Sequence, residues 1–210
     1  FNPVPIFAPP AAMSCSQRRF TVTTATGQLH EAARSVVAGK PVDRKLVHEA
    51  VRQLEEVVVE RVHRWDGKAA AMGAVALWAL QTLEVKPDEA CLQAMRYGIQ
   101  RWLPCLTASQ VLRATAGLAH FDCLDPIFEA AVLQSVQQNP QLYGLAGVAR
   151  LARVVRAEAA VVLIPVLANL LGPYQWDAEE VLDALDALRF NGTDIWFQPR
   201  DVLLSMMPRL

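Results

Sequence analysis

Apolar residues recur three and four positions apart along nearly the whole chain after Thr26, the spacing that lines one face of an α-helix. The pattern predicts helices over residues 28–38, 43–64, 67–84, 88–102, 107–120, 125–138, 141–156, 157–171, 177–190 and 199–208, which group into five pairs. Several of these starts and stops have a local cause. Thr107 with Gln110, and Asp177 with Glu180, match a capping box, in which the first side chain accepts from a free helix N–H and the fourth returns the bond. Asp125-Pro126 places a capping carboxylate before a proline whose missing N–H costs nothing at the first helical position. Gly172-Pro173 reads as a stop. The division near residue 157 has no Gly or Pro behind it, so residues 142–171 read either as one kinked helix or as two.

The first helices of the later pairs overlay on one another. "GAVALWALQTL" from Gly73, "VLRATAGLAHF" from Val111, "VARLARVVRAE" from Val148 and "VLDALDALRFN" from Val181 start 38, 37 and 33 residues apart, in the range of helical-hairpin repeats. Small residues at Ala76, Ala114 and Ala184 are each followed four positions later by Leu80, Leu118 and Leu188, which puts every small–large pair on one helix face. One hairpin cannot bury such a face alone, and stacking supplies the core. The expected fold is therefore all-α: a right-handed stack of antiparallel α-hairpins, α-solenoid-like, with about five pairs over residues 27–210.

The segments "SQVLRATAGLAHFDCLDPIFEAAV" and "AEEVLDALDALRFNG" resemble the degenerate helical repeats of organellar proteins, the heptatricopeptide and octotricopeptide families and their RAP-domain relatives. The resemblance spans roughly residues 67–208. It implies stacked α-hairpins, a mitochondrial or chloroplast setting, and a role in RNA binding or in ribosomes and other organellar complexes. The chain departs from the RNA-binding members in having no recognisable RAP domain and no basic excess, so RNA binding does not carry over with the fold.

Composition agrees with a folded helical chain: 53% of residues are hydrophobic, 20% are charged, and only 10 of 210 are Gly. A net charge of −1 gives no global pull toward a phosphate backbone, so DNA is not an expected partner and RNA contact would have to be local. Cys15, Cys91, Cys105 and Cys123 lack metal or disulfide spacing. "AAVVLIPVLANLL", from Ala159 to Leu171, falls short of the roughly 20 apolar residues a bilayer demands and reads as a buried helix.

The first 30 residues contain no Asp or Glu but include Arg18, Arg19 and several Ser and Thr, the bias of an organellar targeting region. Residues 1–12, "FNPVPIFAPPAA", hold four prolines and predict an extended arm, assigned to residues 1–26. Ile6 and Phe7 then pack either along a partner or back on the chain's own helices.

Reactive side chains are few. His30-Glu31 and His48-Glu49 begin like zincin helices, but Arg34 and Arg52 stand where the second histidine belongs, so no metal is expected. His120, Asp122, Cys123 and Asp125 crowd one short stretch, and a Cys123–His120 nucleophile pair is conceivable there. Cysteine is usually buried and no third orienting group is evident, so the stretch reads better as a turn between helices. No nucleotide-binding motif is present, and neither a cofactor nor a catalytic residue is expected. Arg150, Arg153 and Arg156 recur every three residues as a basic ridge, suited to RNA, to an acidic partner, or to salt bridges with a neighbouring hairpin. Ile195, Trp196 and Phe197 follow an Asn-Gly turn and precede Pro199, a loop composition typical of interface anchors.

Together these features point to a non-catalytic structural or assembly subunit of a large mitochondrial complex on the matrix side, such as the respiratory chain, ATP synthase or mitoribosome. Its expected partners are other protein subunits. The alternative is an organellar RNA-binding helical-repeat protein.

Overall fold

The computed structural model describes residues 22–156, 159 and 161–171, and every regular element among them is helical. Eight α-helices have both ends among the described residues: α1 Val22–Val37, α2 Arg44–Arg61, α3 Gly67–Thr82, α4 Glu89–Arg101, α5 Ala108–His120, α6 Pro126–Gln138, α7 Pro140–Val154 and α8 Ile164–Leu171. Single 3-10 turns occur at Val62–Arg64, Leu103–Cys105 and Val161–Leu163. The helices predicted between residues 43 and 138 all form. Those predicted over 177–190 and 199–208, the Gly172-Pro173 stop and the Asp177 cap lie outside the described residues.

Helix starts are fixed by side-chain acceptors. Asp43, Asp66, Asp88 and Asp125 accept from the backbone N–H of Lys45, Ala69, Cys91 and Phe128 at 2.8, 2.8, 2.6 and 2.7 Å. Each bond satisfies a donor that has no carbonyl within the helix, and the carboxylate sits at the positive end of the helix dipole. Thr107 and Gln110 close the predicted capping box: the Thr107 amide donates to Gln110 Oε1 at 2.9 Å, and the Gln110 amide donates to Thr107 Oγ1.

Three helix ends share one geometry. The amides of Lys40, Val85 and Cys123 reach back to the carbonyls of Ser35, Leu80 and Leu118. The residue before each amide turns left-handed: Gly39 at φ 68°, Glu84 at φ 54° and Asp122 at φ 57°. This double-bonded stop satisfies the last carbonyls of α1, α3 and α5 and points the chain toward the next helix. Only at Gly39 does the backbone conformation come free of side-chain strain.

Packing follows two rows. α3 lies against α1 and α5, and α5 against α7; α2 lies against α4, and α4 against α6. The rows join through the pairs α1–α2, α3–α4 and α5–α6, while α8 packs on α7. Ala76 and Ala114 are fully buried in the first row, as the spacing of small residues predicts. The tightest approach involves Gly117, where a Cβ would meet the Leu77 Cβ at 2.7 Å and its backbone carbon at 3.1 Å. Trp65, in the link between α2 and α3, drives its indole into the angle between α3 and α4. A Cβ on Gly73 would come within 2.8 Å of that ring, and one on Gly98 would overlap it. The Trp65 carbonyl also accepts from Trp102 Nε1 at 2.8 Å, closing the corner.

Two boundaries differ from the sequence expectation. α1 includes Val22, so residues 22–26, assigned to the arm, are helical, with Val22, Ala25 and Thr26 buried. The run of Thr and Val there has weak helix propensity, and packing supplies what propensity lacks. Residues 142–171 are divided: α7 stops at Val154, Val155 is extended at φ −75° and ψ 160°, and α8 begins at Ile164. The break precedes the expected residue 157; beyond it Ala159 is helical, Val161–Leu163 forms a 3-10 turn and Ile164–Leu171 is helical. Near its start α7 is also kinked at Gly144, whose φ of 63° and ψ of 176° are non-helical.

Candidate interaction surface

The stretch around His120 and Cys123 is a corner. Asp122 occupies the left-handed stop of α5, Cys123 folds under it with its amide on the Leu118 carbonyl, and His120 remains exposed in the last turn. Asp125 caps α6 and pairs with Arg96 of α4 at 2.9 Å, tying the two helices of the second row together. Burial, then the neighbouring Glu89 carboxylate, pushes the Cys123 thiol up, away from the thiolate a nucleophile needs. The Cys91 thiol is raised further by its deeper burial and by Asp88 and Glu55, and lies 3.7 Å from Met95 Sδ. Among the described residues no three His, Cys, Asp or Glu side chains gather as a metal site.

The two His-Glu pairs have separate surroundings. The His30 ring tilts against Trp78 of α3 with centroids 5.4 Å apart. On α2, Glu49 accepts from Arg52 at 2.7 Å and from Gln53 at 2.8 Å, and these bonds hold its carboxyl down at about 2.

The arginine ridge divides at the end of α7. Arg150 and Arg153 are exposed on that helix, whereas Arg156 lies beyond it and turns back to α6. There its amide donates to Glu129 Oε1 at 2.8 Å and its Nε to Glu129 Oε2 at 2.6 Å. Glu129 is 1% exposed, so this pairing supplies a buried carboxylate with its countercharge and fixes the chain at the break. Ile6, Phe7, Ile195, Trp196 and Phe197 lie outside the described residues.

A different group of side chains comes together on the first row. Trp78 of α3 is contacted by His30 of α1 on one side and by Arg113 of α5 on the other, the guanidinium carbon 5.5 Å from the ring centroid. Sequence reasoning missed this cluster, although the repeat alignment contains its signal. Arg113 and Arg150 stand at the same offset, two positions after Val111 and Val148. Equivalent offsets on stacked helices lie on the same face.

No family model, curated protein or solved structure matches this chain. Among the described residues no helix is long and apolar enough to cross a membrane.

Proposed function

We propose that this protein is a non-catalytic scaffold, an α-hairpin repeat that serves as a structural or assembly subunit of a larger mitochondrial protein complex. The observation that carries the reading is the two-row packing, in which each hairpin uses its neighbours to bury its apolar faces. In such an array the rows continue the same surface from one hairpin to the next, and function lies in what that surface presents. Burial of Cys91 and Cys123, with both thiols pushed up, favours a structural role for these side chains over nucleophilic catalysis. The organellar assignment rests on the acid-free, Arg- and Ser/Thr-bearing first 30 residues.

Purification of the tagged full chain from its native compartment tests the reading. Protein subunits in fixed stoichiometry are the expected result. Recovery of the chain alone, or of RNA in place of protein, overturns it. Residence outside mitochondria on fractionation removes the organellar part and leaves the scaffold.

The RNA-binding alternative draws on Arg150 and Arg153, which are exposed on α7. Its third arginine, Arg156, is occupied with Glu129, so RNA contact there would compete with an internal ion pair.

A further inference from the structure

The positions of the first row that face away from the second carry cations and no carboxylate among the described residues. On α3 the half-buried or exposed stripe runs Lys68, Ala71, Val75, Trp78, Thr82; on α5 it runs Ser109, Arg113, Ala116, His120; on α7 it runs Ala146, Arg150, Arg153. Each stripe steps by three or four residues and lies opposite the buried positions of its helix. α1 extends the face with His30, in contact with Trp78, and with the exposed Arg34. Among the described residues, Glu31 lines one surface pocket with His30 and Arg34 on α1, and Glu84 and Asp122 stand at the ends of α3 and α5. In contrast, α2 in the second row mixes signs, with Glu49, Glu55, Glu56 and Glu60 set against Arg44, Lys45, Arg52 and Arg61.

We propose that this cationic face docks an acidic segment of a partner protein. The inference rests on the scaffold reading above and gives its partner a chemistry. Arg34, Arg113 and Arg150 lie near the level of Trp78 on α1, α5 and α7, and Lys68 stands about 15 Å along α3 toward its start, so a segment that crosses the row obliquely meets a cation on each helix. Between them Ala71, Ala116 and Ala146 leave the surface low enough for a helix or extended chain to lie close. Arginine and tryptophan around small residues is the composition of protein interfaces, and charge complementarity sets both the encounter rate and the orientation of the partner. A base-stacking surface needs an open aromatic face, whereas Trp78 is already contacted by His30 and Arg113. Protein is therefore favoured over single-stranded RNA.

Fluorescence anisotropy with the full chain tests this, using three labelled probes: a helix-forming peptide of Glu, Ala and Leu, the same peptide with Gln for Glu, and an oligouridylate of matching charge. The acidic peptide is expected to bind, to weaken as salt rises, and to lose roughly tenfold in affinity in R113E/R150E and in the separately made K68E. R44E, on α2 in the other row, is expected to bind like the wild type. Failure of the acidic peptide to bind, equal binding of the Gln peptide, indifference to all the charge reversals, or tighter binding of oligouridylate overturns the proposal. If native purification returns stoichiometric subunits that R113E/R150E also retains, this face falls while the scaffold reading stands.

Discussion

Glu84 and Asp122 hold a backbone conformation that suits glycine, and the cost of doing so is measurable. Replacing either by Gly is expected to stabilise the fold by about 1 kcal/mol, read as a higher urea midpoint with unchanged slope. Thiol accessibility gives a second test. Cys105 is exposed, so maleimide should label it quickly, while Cys91 and Cys123 should react only as the chain opens, a difference read by mass spectrometry. A third concerns Glu49, whose carboxyl is expected to titrate at about 2 by NMR and to move back toward its ordinary value in R52Q. Because the folded value is depressed, any contribution of this pair to stability is present above the ordinary carboxylate range and lost as pH falls toward 2. Glu49 lies on the surface, so little of the global stability should follow it. At this scale the sequence is legible where the cause is local: Thr107 with Gln110 and Asp125 with Pro126 announce their caps within four residues. The left-handed turn at Asp122 is hidden, because no glycine marks it and the pull comes from the Leu118 carbonyl already fixed in α5.

Between elements, close approach decides the energetics. Gly98→Ala should cost about 2 kcal/mol, because the added methyl enters the Trp65 ring and the Val62 side chain cannot move without disturbing the same corner. Gly117→Ala should be at least as damaging, since its neighbour is Leu77 backbone and cannot swing aside. Arg156→Ala should cost about 2 kcal/mol by taking the guanidinium from the buried Glu129, with the retained backbone amide bond and the half-exposed guanidinium limiting the loss. Thermal or urea unfolding of the three variants checks these values. Helix positions and pairing were readable because apolar spacing is a property of each segment by itself. The Trp65 wedge and the Arg156–Glu129 tie were not. They join residues 33 and 27 positions apart, and neither partner carries a local mark of the other.

Across the whole molecule a net charge of −1 conceals an uneven placing of charge between the two rows. α3, α5 and α7 carry Lys or Arg with no Asp or Glu, whereas α2 sets four Glu against four Lys and Arg. That asymmetry could not be seen in a total, and it emerges once the helices are assigned to rows. The corner built on Trp65 has an optical consequence as well. Its indole is 4% exposed, is enclosed by α3 and α4, and has no hydrogen-bond acceptor for Nε1 among the described residues. An indole held so far from water should emit at short wavelength, resist quenching by iodide, and shift to the red as the hairpins around it part. In a variant that keeps Trp65 and carries Phe at the other four tryptophans, light emitted from one side chain thus becomes a gauge of whether the second and third helices are still joined to the fourth.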